Sequence, residues 1–171
     1  MITINQKAPK LIKNLLLIAV LLPTLALAKT NFKIQNPKNI KITLRLALTR
    51  DEHAKGLSGL KKKQFTNSEG MLFINDRMDA RKFWMPDTYF NLDIIFIDQD
   101  LKIVEIEKNV PAHPGMVEPP VIYRTKTYDA QYILETNANS AFSKNLKAGD
   151  KLKWIGKVPI SEIALKTRQK Q

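Results

Sequence analysis

The run Leu92-Asp93-Ile94-Ile95-Phe96-Ile97 constrains this chain more than any other stretch. Large apolar residues fill it except at Asp93, so it reads as a fully buried strand with a carboxylate near its start. Asp98-Gln99-Asp100 follows, a turn-forming cluster. Leu101 to Glu107 (LKIVEIE) then returns as a second strand. The chain must therefore build a hairpin into its core and accommodate an acid there.

The remaining pattern is also strand-like. Ile40, Ile42, Leu44 and Leu46 alternate with Lys41, Thr43 and Arg45, as in a half-buried strand. Thr49 with Glu52 is a capping box, and Gly56 suits a C-terminal cap, so a short helix is predicted over Arg50–Lys55. Gly70 opens a strand over GMLFIND, and RKFWM reads as another, with Phe83 and Met85 on one face and Trp84 on the other. Asn109–Pro120 carries four prolines and Gly115 and is predicted to be a structureless connection, functional or mobile. In YDAQYILET, Tyr128, Ala130, Tyr132 and Leu134 share a side. NANSAFSKN is predicted to be a second short helix capped by Asn137, and KLKWI a closing strand. Hairpins dominate and no βαβ rhythm is visible. The expected class is mainly β (α+β), an antiparallel sandwich or barrel-like domain with two short helices.

Residues 1–28 stand apart. Lys7, Lys10 and Lys13 precede an apolar stretch from Leu15, Pro23 interrupts it, and Ala26-Leu27-Ala28 supplies small residues where a signal peptidase cuts. The stretch Leu15–Ala28 is shorter than the roughly 20 residues needed to span a bilayer. The chain has no cysteine, which excludes a lipoprotein anchor and disulfide staples. The expected organisation is a signal peptide over 1–28, a leader over 29–39, one globular domain over 40–155 and a basic tail over 156–171. The expected location is the periplasm or the exterior. Loss of the three leader lysines lowers the formal charge from +12 to +9. Such a charge suits an anionic envelope component or another envelope protein; export argues against nucleic acid. Scattered lysines also serve solubility alone.

Several chemistries lack a signature. There is no Gly-rich phosphate loop, no cysteine-based zinc framework and no G-x-S-x-G elbow. His53 and His113 show no metal-ligand spacing, so no metal or cofactor is expected. Asp93 has two readings. It is a structural carboxylate accepting N–H groups from the Pro86–Asn91 turn, or an acid-base group with a raised pKa. Glu135, ending QYILE, repeats the pattern; on an adjacent strand it would complete a carboxylate pair suited to glycan hydrolysis. Trp84 and Met85 are core residues or part of an apolar groove. The loop holding His113 would border such a site.

The ordered motifs RDEHAKGLSGL, EGMLFI, FWMPDT, LDIIFID, IVEI, YILETNA and LKAGD strongly resemble the domain of unknown function 192 family over Ile42–Trp154. The resemblance implies a compact, mainly antiparallel β domain without an assigned activity. Its pattern marks Glu52, Gly56, Leu57, Gly70–Phe73, Trp84, Met85, Thr88, Leu92, Asp93, Phe96, Glu135 and Gly149-Asp150. Two departures are visible. Pro86-Asp87 replaces a basic-amide pair, and Asn139 stands where glycine is common; asparagine tolerates positive φ.

The expected function is an exported module that binds a small ligand or a partner through Trp84, Met85, Thr88, Asp93, Glu135 and His113. The alternative is an envelope hydrolase using Asp93 and Glu135. N-terminal sequencing of the protein recovered from outside the cytoplasm should begin at Lys29; a chain still beginning at Met1 refutes cleavage.

Overall fold

The computed structural model describes residues 32–156 of the 171-residue chain. The signal-peptide prediction, residues 29–31 of the leader and nearly all of the basic tail lie outside them; the rest of the leader, residues 32–39, includes the strand Lys33–Gln35. Seven strands form one sheet: β1 (Lys33–Gln35), β2 (Lys41–Ala47), β3 (Glu69–Arg81), β4 (Leu92–Ile97), β5 (Ile103–Val110), β6 (Tyr128–Asn137) and β7 (Lys153–Ile155). Their spatial order is β5-β4-β6-β3-β2-β1-β7. The described residues hold no helix long and apolar enough to cross a membrane.

The two ends of the sheet are tied together. Lys102 forms a bridge with Lys151, and Ile103 N–H donates to the Asp150 carbonyl just before β7. The sheet is thus a curled half-barrel, and each face packs a different core. On the first face, Ile42, Leu44, Leu72, Ile95, Ile97 and Leu134 pack with Phe142, Leu146 and Leu152 from the segment after β6. On the second, Met71, Phe73, Leu92, Ile94, Phe96 and Ile133 lie beneath Leu57, Phe65, Met85, Phe90 and Ile122. Period-two alternation assigns the residues of β4 to the two cores in turn, and every one of its residues is buried. Gly70 shows how tight the first face is. A Cβ there would come within 2.8 Å of side-chain carbons of both Ile42 and Leu134.

The capped helix forms as its sequence dictates. In α1 (Arg50–Lys55), Thr49 accepts from Glu52 N–H and the Glu52 carboxylate accepts from Thr49 N–H. Gly56 N–H then donates to the Glu52 carbonyl at φ 44°. The helix joins β2 to β3, which pair in parallel. That is one βαβ-like crossover in a sheet whose other pairings are antiparallel. Sequence periodicity missed it because a six-residue helix with no buried residue leaves no apolar stripe.

Three other expectations shift. RKFWM is not a ladder strand: β3 itself runs on to Arg81, through a bulge after Ile74. The following residues pair locally, with Met85 N–H donating to the Tyr123 carbonyl and Thr125 N–H to that of Phe83. Phe83 and Met85 still point inward and Trp84 outward. The second short helix is a 3₁₀ turn at Lys62–Gln64, while NANSAFSKN forms turns. Asn137 does not cap them. It ends β6, and its amide donates to the Phe65 carbonyl. Ser140 does the capping, accepting from Ser143 N–H on its Oγ and from Lys144 N–H on its carbonyl.

Candidate functional site

The two candidate acids lie on neighbouring strands but not on one face. In the β4–β6 ladder Asp93 is opposite Thr136, and Glu135 is opposite Ile94. Directly opposed residues share a face, and a shift of one residue reverses it. Asp93 therefore points into the first core and Glu135 into the second, with the sheet between them. They cannot flank one bond, so the acid-base pair predicted for glycan hydrolysis does not form.

Asp93 is not at the mouth of the core but inside it, 1% exposed. Oδ1 accepts from Asn109 N–H at 2.8 Å; Oδ2 accepts from Asn139 N–H at 3.1 Å and from the Ser143 hydroxyl at 2.5 Å. Asn139 stands at φ 59°, in the left-handed region that its sequence allows. The Lys108 ammonium, which donates to the Ser143 carbonyl, adds favourable charge; burial lowers its pKa and Asp93 opposes that. This is a structural carboxylate, as one reading of the sequence holds. Its donors come from Asn109 and the turn after β6 rather than from Pro86–Asn91.

Glu135 is the opposite case. It is 5% exposed, flanked in register by Met71 and Ile94, and its carboxyl has no hydrogen bond or ion pair among the described residues. Burial alone pushes its pKa up to about 8, so at neutral pH it is mostly the uncharged acid. The surface it keeps opens into a cleft of about 370 Å³ between α1 with its following turn and the Ala80–Thr88 segment. That volume falls within the range of small-molecule sites.

The cleft is built in layers. Its floor is aromatic: Phe73 meets Phe83 edge-on at 4.8 Å, and Phe83 meets Phe96 at 6.2 Å. His53 meets Phe73 edge-on at 5.5 Å, and its Nε2 lies 3.0 Å from the Ala47 carbonyl. Burial lowers the His53 pKa below its ordinary 6.5 against the pull of the Ala47 and Ile74 carbonyls, which keeps the ring neutral at pH 7. Gly56 is required here: a Cβ would meet Phe73 at 3.1 Å. Lys55, Arg81 and Lys82 line the walls with Ser58, Asn75 and Thr88. Trp84, 49% exposed, stands beside them, with the Arg124 guanidinium 5.7 Å from its ring centre.

The predicted site residues thus separate. Trp84, Thr88 and Glu135 meet at the cleft. Thr88 is buried and donates its hydroxyl hydrogen to the Pro86 carbonyl. Met85 is wholly in the second core, and Asp93 is across the sheet. His113 is buried too; its ring Nε2 lies 3.0 Å from the Val117 carbonyl, and its own carbonyl accepts from Thr88 N–H. Sequence reasoning missed His53, Lys55, Phe73, Phe83, Arg81 and Lys82 as lining groups. The adjacency of Arg81-Lys82 to Phe83-Trp84 was the available signal.

Fold and site together define a class: a curled seven-stranded β domain with a Glu135-lined cleft on its second face. The chain belongs to the DUF192 family (Uncharacterized ACR), whose model matches residues 32–154. No curated protein matches it. Two solved structures share the fold. One, from Sinorhizobium meliloti 1021 and described as a candidate transcription regulator, is 25% identical with a TM-score of 0.58, over 72% of this chain and 92% of that one. The other, a protein of unknown function from Novosphingobium aromaticivorans DSM 12444, is 29% identical with a TM-score of 0.58, over 72% and 84%.

Two outcomes are expected. Asp93→Ala should destabilise the fold by about 2–5 kcal/mol in denaturant titration, because three donors lose a charged acceptor; a loss under about 1 kcal/mol contradicts the hub role. Glu135 should make stability fall as pH rises. Between its ordinary 4.5 and about 8 the folded state keeps a proton that the unfolded chain has released. The slope is up to about 1.4 kcal/mol per pH unit, ending above pH 8. Glu135→Gln should abolish that component, seen as a gap between the two proteins that widens across the window.

Proposed function

We propose that this protein is a small-molecule-binding module and that its site is the Glu135 cleft. The carrying observation is the carboxyl itself. Glu135 makes no hydrogen bond among the described residues, yet the little surface it keeps borders the cleft, so its carboxyl is free to hydrogen-bond an occupant there. The aromatic floor and Trp84 offer contact area, and Ser58, Asn75 and Thr88 offer polar contacts around it.

The reading includes export to the cell envelope. Its support is the pattern from Lys7 to Ala28 alone, and the positive charge fits a compartment bounded by anionic polymers and lipids. A hydrolase reading lost its geometric basis when Asp93 and Glu135 were found on opposite faces.

The test is a two-dimensional NMR screen of the ¹⁵N-labelled full chain with small carboxylates, phosphates, amides and amines. Hits should shift resonances of His53–Ser58, Arg81–Thr88 and Glu135 together. Trp84→Ala, a change at an exposed position, should weaken them by roughly twofold to tenfold, the value of one aromatic contact. Hits that map elsewhere, or a library without hits, would refute the site.

A further inference from the structure

The charges around the cleft are one-sided. Lys55 comes from α1, and Arg81 and Lys82 from the end of β3 and the residue after it; Glu135 is the one acid on the lining. The described ion pairs are Arg45–Glu69, Arg77–Asp79 and Arg124–Glu118, and none of them uses these three cations. Arg81 gives two of its donors to the carbonyls of Ala130 and Arg77. Asp87 is the acid nearest by. Its Oδ1 accepts from Gly115 N–H, and its Oδ2 and the Lys55 ammonium each lie 3.4 Å from where a Cβ on Gly59 would sit, close but not an ion pair.

We propose that the cleft recognises a small anion, a carboxylate or phosphate ester with a flat apolar body, whose charged end meets Lys55, Arg81 and Lys82 and hydrogen-bonds the Glu135 carboxyl. The inference deepens the binding reading above and rests on it. The alternative occupant is an amine paired with ionised Glu135. Three cations on the lining against one acid disfavour it, since an ammonium group would have to desolvate beside them. An anion gains from the same field, and charge-assisted hydrogen bonds are about twice as strong as neutral ones. Phe73, Phe83 and Trp84 supply faces and edges suited to a planar body.

The arrangement makes recognition pH-linked. The titratable and charged groups that share the lining with Glu135 are His53, Lys55, Arg81 and Lys82, with Asp87 close to Lys55; Met71 and Ile94 beside it do not titrate. Burial lowers the His53 pKa below its ordinary 6.5, so that ring is already neutral at pH 7. Around pH 8 Glu135 is the group that changes. Its ionisation removes the donor and sets a negative charge against a negative ligand.

The experiment titrates the full chain with benzoate, phenyl phosphate, benzamide and benzylamine, four probes of one body size, and follows the cleft resonances. Benzoate and phenyl phosphate should bind at least about tenfold tighter than the amide and the amine. Lys82→Gln should weaken the two anions and leave benzamide unchanged. Benzoate affinity should fall by up to about tenfold per pH unit above pH 8, and Glu135→Gln, which still offers a donor, should bind at pH 7 and flatten that fall. Benzamide or benzylamine bound in the cleft as tightly as benzoate would overturn the anion assignment while leaving the binding site standing. Silence of the cleft toward all four, or benzoate shifts confined to lysines outside it, would overturn the site itself.

Discussion

The fold depends on how one buried carboxylate is satisfied. Asp93 sits within an otherwise apolar strand, and its charge is tolerable because three donors converge on it from two separate segments. Asn109 belongs to β5, on one side of β4. Asn139 and Ser143 belong to the turn that follows β6, on the other side. The acid therefore fastens the covering segment of the first core to the hairpin at its edge. Phe142, adjacent to Ser143, is carried into that core by the same attachment. A hydrophobic residue at position 93 would suit the strand better but would leave that covering turn with peripheral ties such as Lys108 to the Ser143 carbonyl and Asn36 to that of Phe142.

Glu135 has the same side-chain chemistry, one ladder step away and on the other face, and it makes no hydrogen bond or ion pair among the described residues. The contrast separates structure from use. The first acid is saturated with donors and sealed. The second is desolvated to the point of holding its proton, yet borders open volume with aromatic and cationic walls. Burial alone does not distinguish the two; the presence or absence of partners does.

Much of the architecture was legible in the residues. The capping box of Thr49 and Glu52, the hairpin around Asp98, the inward and outward faces at Phe83, Trp84 and Met85, and the positive φ at Asn139 all rest on local rules, and local sequence carries them. The parallel β2–β3 pair was not legible, because strand orientation is decided by what lies on either side of a short polar helix. The turn after β6 was misread as a helix for a related reason: Asn137 is a good capping residue in isolation, but the ladder with β4 and the Phe65 carbonyl claim it. For the site, sequence indicated that Asp93 and Glu135 were unusual. It could not supply the pairing register, and a single residue of register decides whether two acids cooperate or never meet.

The placement of β7 carries a consequence for how the molecule comes into being. The last described strand pairs with the first: Lys33 stands opposite Ile155, and Trp154 opposite Ile34. Contacts between such distant parts of a chain are slow to form and depend on the whole polypeptide being present. A chain emerged only as far as Lys147 thus lacks both the strand that finishes the sheet and the Asp150–Leu152 link that draws its two ends together. The domain closes last at the point where its two distant ends meet.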